Sequence, residues 1–175
     1  GQGALSLCNG DGQGGLGMAR ELARGDWNGV RSADTDNDEN RRSSVLVFGA
    51  NGIEVIDPEG KDAPTVGLPT TIEITDVCLA DHDHEGDLDL VLATGGGVKL
   101  LRNQGRLKPL TVDGPWREEV FADATPTESW ITTHPTWVLA EDFDVDNDID
   151  LLVGGGDTPT TILSKIDAAR RITSM

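Results

Sequence analysis

Asp142, Asp144, Asp146, Asp148 and Asp150 fill every second position of one short stretch. Carboxylates at that density suit a hard cation. Calcium takes six to eight oxygens at about 2.3–2.6 Å, and a chain turning round it directs alternate side chains inward. On this spacing Asp142, Asp144 and Asp146 supply side chains, Asp148 supplies its backbone carbonyl, and Asp150 closes the loop. Asn147 falls where the turn needs a positive φ, which Asn and Gly tolerate. The stretch Asp81, Asp83, Glu85, Asp87, Asp89 obeys the same spacing. Here Asp81, Asp83, Glu85 and Asp89 give side chains, Asp87 gives its carbonyl, and Gly86 takes the turn. Glu85 is one methylene longer than aspartate, which distorts or weakens that site. Asp34, Asp36 and Asp38 open a third loop. It then departs from the pattern, with no aspartate at the ninth place and with Arg41 and Arg42 close by. Calcium is therefore expected at two loops, with the third diverging. Solvated acidic turns are the plain alternative, but so many clustered carboxylates repel one another unless a cation neutralises them. A helical EF-hand needs a bidentate glutamate at position twelve. That place holds Leu92 or Val153, inside β-like runs.

These loops must be held by flanking elements, and the flanks repeat. Each loop lies between two apolar runs, as in Val77–Ala80 and Leu90–Ala93 around the Asp81 loop. A glycine-rich turn and a returning apolar run follow: Gly49–Gly52 then Ile53–Ile56, Thr94–Gly97 then Val98–Leu101, and Gly154–Asp157 then Thr161–Leu163. Strand, glycine turn and returning strand make a β-hairpin. The unit is thus strand, acidic loop, strand, turn, strand; Asp34 to Asp81 is 47 residues and Asp81 to Asp142 is 61, a period that suits one four-stranded propeller blade. The expected fold is all-β, built of about three β-propeller blades as a single segment over 1–175. Its approximate repeats are 26–75, 76–136 and 137–175, and 1–17 is the tail of a preceding blade. A further marker, an apolar pair, then Asn, then Gly, recurs at Leu5–Gly10 and Leu100–Gly105. The stretch 108–136 reads as an outer strand plus an insertion loop. Met18–Arg24 has the length for two turns of helix, against its flanking glycines.

The loop pattern, Asp-x-Asp-x-Asp/Glu-Asn/Gly-x-x-Asp-Leu between apolar strands, resembles the calcium loop of FG-GAP/VCBS repeats. Those repeats occur in integrin α-chain propellers and in many secreted bacterial proteins. The segment Val120-Phe-Ala-Asp-Ala-Thr125 also resembles the inter-blade stretch of VCBS proteins that carry a UnbV/ASPIC region. The resemblance implies a β-propeller, an extracytoplasmic location (periplasmic, secreted or cell surface) and calcium at Asp81–Asp89 and Asp142–Asp150. Three blades are too few to close a ring, since propellers have about four to eight. The chain is then expected to be part of a larger propeller or to complete its ring with another chain.

The net charge of −17 excludes nucleic acid and anionic membranes as partners, because both need clustered Lys and Arg. No apolar stretch approaches the roughly 20 residues that span a bilayer, so no direct membrane insertion is expected. Partners are a protein or further blades, with carbohydrate as an alternative, and an accessory role in a larger assembly as another. A carbohydrate-cleaving propeller would need paired carboxylates outside the metal loops, and Glu118, Glu119 and Glu128 are loose candidates whose spacing argues for no catalysis. No catalytic residue is assigned. Gly10–Gly15 matches G-x-G-x-x-G but lacks a convincing following helix for a dinucleotide fold. His82 and His84 alternate with the ligand candidates and should point away from the ion. Cys8 and Cys78 each lie in an apolar run and are expected as small buried thiols, with a disulfide left open. The tryptophans are expected in core or blade packing, with Trp116 and Trp130 the better candidates for binding.

Overall fold

The computed structural model describes residues 3–35, 43–59, 66–68, 73–103, 116–119, 134–155 and 161–166. Their regular structure is all strand, arranged in small antiparallel sheets. Strands β1 (Gly3–Leu7) and β2 (Arg20–Gly25) form a two-stranded sheet. Strands β3 (Trp27–Ala33), β4 (Ser44–Gly49), β5 (Gly52–Ile56) and β6 (Val66–Leu68) form the next, paired in chain order. Strands β7 (Ile74–Ala80), β8 (Asp89–Thr94), β9 (Gly97–Asn103) and β10 (Trp116–Glu119) repeat that order. Strands β11 (Trp137–Glu141), β12 (Ile149–Gly154) and β13 (Thr161–Ile166) make a three-stranded sheet.

The repeat read from the sequence reappears in the pairing. Trp27 faces Gly49, Ile74 faces Thr94 and Trp137 faces Gly154 at the start of each first hairpin. Ala33–Ser44, Ala80–Asp89 and Glu141–Asp150 close the other end, where the acidic loops emerge. The glycine turns are needed by geometry. Gly52 and Gly97 open the returning strands at φ 105° and 112°, a region closed to residues with a Cβ.

The middle sheet explains why β8 is apolar on both faces. Leu90 and Leu92 point to one side and join Leu46, Phe48, Ile53 and Val55 of the β3–β6 sheet in one core cluster. Val91 and Ala93 point to the other and pack with Val138, Leu151 and Val153 of the β11–β13 sheet. A strand covered on both faces reads as a continuous apolar run. The three sheets therefore stack in chain order, with β7 lying against β3 and β4 on one side and β11 on the other.

Polar tethers join the layers. Arg31 of β3 places Nη2 2.5 Å from Asp76 Oδ1 of β7, and its Nε donates to the Val77 carbonyl at 3.1 Å. The other Asp76 oxygen accepts the Val138 amide of β11 at 3.1 Å. One carboxylate thus links all three sheets. Trp27 and Trp137 are half-buried, each with its indole against a glycine, Gly25 and Gly154 respectively.

Two expectations are corrected. Residues 20–25 form strand β2 rather than the second turn of a helix, because pairing with Gly3–Leu7 satisfies their backbone groups. Cys8 is exposed, not buried, since it lies beyond the end of β1, whereas Cys78 is half-buried; both are free thiols. Burial raises the Cys78 thiol to about 12, with the Asp76 charge adding to the effect. Strand β10 provides the outer strand expected within 108–136; the rest of 108–133, including Trp130, Glu128 and the Val120–Thr125 segment, lies outside the described residues.

Candidate metal centre

Each acidic loop begins where a first strand ends and closes on the first residues of the second strand. In the Asp81 loop, Asp81 Oδ2 accepts the Gly86 amide at 2.9 Å and Asp89 Oδ2 accepts the His82 amide at 3.0 Å. In the Asp142 loop, Asp142 Oδ2 accepts the Asn147 amide at 3.0 Å and Asp150 Oδ2 accepts the Phe143 amide at 3.0 Å. The two loops share these two bonds, while the Asp142 loop adds two more, from the Asp146 amide to Asp142 Oδ1 at 3.1 Å and from the Asp148 amide to Asp146 Oδ1 at 3.0 Å. The first carboxylate ties down the sixth residue, and the last ties down the second. The backbone matches too, with positive φ at His84 and Gly86 in one loop and at Val145 and Asn147 in the other. The expected turn roles of Gly86 and Asn147 hold. The matching positive φ at His84 and Val145 carries no sequence signal, and Val145 is strained there because a β-branched residue rarely adopts it.

This wrapping gathers oxygens. Carboxylate oxygens of Asp81, Asp83 and Asp89 lie within 4.8 Å of one another, as do those of Asp142, Asp144 and Asp146. Asp89 and Asp150 are each 1% exposed. Burial pushes Asp89 up to about 6 against the amide hydrogen bonds of Asn103 and His82 that lower it; the Asp83 charge adds to the rise. Desolvation and the neighbouring Asp146 and Asp150 carboxylates raise Asp144 as well. Asp81 Oδ1 and Asp83 Oδ1 are shielded from solvent and accept no hydrogen bond. Shielded oxygens without a donor are costly, and a cation between them would satisfy both. The donor set of the Asp81 cluster therefore fits a metal ion, and the Asp142 cluster offers three carboxylates in more exposed positions.

The remaining candidates are placed as follows. Glu85 is not among the three clustered carboxylates, and its Oε2 lies 3.0 Å from Arg102 Nη2. The Asp148 side chain faces His84, with Oδ1 3.8 Å from Nε2, so the two loops are neighbours. Asp87 and Asp150 lie outside the three-carboxylate clusters. Asp34 is half-buried at the end of β3, while Asp36 and Asp38 lie outside the described residues. Neither cluster found among the described residues includes a histidine.

Two positions were missed as parts of the site. Asn103, 2% exposed, gives its amide to Asp89 Oδ1 at 2.7 Å, and its Nδ2 donates to the carbonyls of Thr35 at 2.9 Å and Leu88 at 3.3 Å. It clamps the Asp89 end of one loop to the start of the Asp34 loop in the next sheet. The recurring apolar-apolar-Asn signal was its trace in the sequence. Arg102 pairs with Asp83 and Glu85, and no local pattern announces it.

The G-x-G-x-x-G stretch is a turn. Asp11 Oδ1 accepts the amides of Gln13 and Gly15, both at 2.8 Å, which holds the Asp11 carboxyl below its ordinary range, and the next element is strand β2. A nucleotide fold has no helix there to bind a phosphate. Among the described residues no helix is long and apolar enough to cross a membrane. Comparisons with protein-family models, with curated proteins and with solved structures yield no match.

Proposed function

We propose that this chain is a calcium-binding β-propeller segment, an extracytoplasmic interaction or scaffold module in which calcium is structural. The observation that carries the reading is the frame the Asp81 and Asp142 loops share, in which the first carboxylate accepts the sixth residue's amide and the last accepts the second's, beside three clustered carboxylates in each. An all-oxygen set without thiolate or imidazole favours a hard cation over zinc or copper. The bound ion would supply positive charge that offsets the mutual repulsion of each cluster. The chain's own residues do the rest. Asp81 and Asp142 brace their loops, Asp89 and Asp150 anchor the loops to the second strands, and Asp83, Asp144 and Asp146 add further carboxylates to the clusters. An ion that binds only the folded state adds about 2.7 kcal/mol at a hundredfold excess over its Kd. Weak loops of this kind fill best at the high calcium of extracytoplasmic compartments.

The propeller reading is supported by three similar antiparallel sheets stacked face to face in chain order. The β11–β13 sheet leaves Leu139, 47% exposed, beside Leu152 on the face turned from the core. That apolar face supports a further blade or a protein partner as its cover. The double variant Asp142→Ala, Asp150→Ala should lose one calcium per chain in equilibrium dialysis and keep the Asp81 site. Unchanged stoichiometry would remove the Asp142 loop from the account.

A further inference from the structure

We infer that Arg102 is a built-in counter-cation of the Asp81–Asp89 loop, competing with the metal for Asp83 and setting both the affinity and the charge preference of that site. The inference rests on the calcium reading above and adds the residue that regulates it. Arg102 projects from β9 next to Leu101, which faces Leu90, so it stands across the sheet from the loop's closing residue Asp89. Its Nη2 contacts Asp83 Oδ2 and lies 3.0 Å from Glu85 Oε2. The pair is well shielded, with the side chains 29% and 20% exposed for Arg102 and Asp83. Asp83 is also one of the three carboxylates whose oxygens converge. The guanidinium thus holds a ligand that the cation needs, and the same nitrogen engages Glu85 beside it.

Charge then decides what can displace it. A guanidinium is always protonated, so it cannot leave by losing a proton. A monovalent ion taking its place at Asp83 exchanges one positive charge for another and gains little. A divalent ion adds one further positive charge among at least three carboxylates, in a shielded site where Coulomb terms are strong. Arg102 therefore raises the threshold of the loop and discriminates against sodium and potassium. On release, the Arg102 head and the Glu85 carboxylate become free to rearrange together.

The test is calorimetric titration of the full chain with calcium chloride, comparing the native protein with Arg102→Gln and Arg102→Lys, alongside melting curves in EGTA. Arg102→Gln should bind calcium about tenfold tighter at one site, equivalent to ~1.4 kcal/mol. It should also melt lower than the native protein in EGTA, with calcium abolishing the deficit. Arg102→Lys, which keeps the positive charge on a shorter, more strongly hydrated head, should fall between the two. It gives the answer on its own should the glutamine variant not fold. Affinity unchanged or weakened in the variants, while the native protein binds calcium, overturns the competition and leaves the calcium reading standing. No calcium binding by any of the proteins overturns both. A melting temperature in EGTA equal to or above the native value overturns the counter-cation role independently of calcium.

Discussion

At the scale of single residues, the acidic loops combine backbone strain with charge crowding, and each makes a measurable demand. Val145 is 82% exposed at φ 64° and equivalent to His84 at φ 57°. The left-handed conformation costs a β-branched L-residue about 1–2 kcal/mol, a cost that glycine escapes. Val145→Gly should therefore stabilise the chain by up to ~1 kcal/mol in urea unfolding, the gain being reduced by glycine's greater freedom when unfolded. Loss of stability would mean that Val145 packs in a way its exposure does not suggest. Asp89 makes the pH demand. Its folded value, about 6, lies above the ordinary 3.8, so the fold favours the protonated acid. That contribution is fully present below the ordinary carboxylate range and is lost as pH rises through about 6. In EGTA the melting temperature should fall between pH 5 and 7, and Asp89→Asn should flatten the slope. Calcium binds the ionised form, so its affinity should run the other way and weaken on acidification. A rise in metal-free stability over that window would contradict the assignment.

At the scale of elements, the tie between sheets is testable at Asp76. Removing its carboxylate leaves the Val138 amide without its acceptor and Arg31 without its partner. Asp76→Ala should cost ~1–3 kcal/mol in denaturant unfolding; a neutral effect would mean that water replaces the carboxylate at no loss. Asp76 also marks the limit of what local sequence reveals. Strand, acidic loop, strand and glycine turn were legible because each depends on neighbours along the chain. The apolar runs, the loop spacing and Gly52 or Gly97 at the turn all carry their own signal. The partners of Asp76, Arg102 and Asn103 come from other strands or other sheets, and strand pairing or stacking, not the local segment, brings them together. Arg20–Gly25 likewise carries no local signal of its extended form, which is set by pairing with the distant strand Gly3–Leu7. Glu85 had the right spacing for a ligand but turns to a guanidinium that its own segment does not contain.

At the scale of the whole molecule, the chain carries a net charge of −17 and concentrates carboxylates in loops at the same end of stacked hairpins. The His84–Asp148 approach of 3.8 Å brings two such loops alongside each other. Self-repulsion of that kind destabilises a compact state, and bound divalent ions are its natural remedy. The proposed compartment and the structural role of the ion rest on reading these loops as calcium sites. The most direct test is a calorimetric titration of the metal-free full chain with calcium at neutral pH. The account predicts saturable binding of two ions per chain, at the Asp81–Asp89 and Asp142–Asp150 loops, with the melting temperature raised in step. No binding heat and no thermal shift up to millimolar calcium would contradict it.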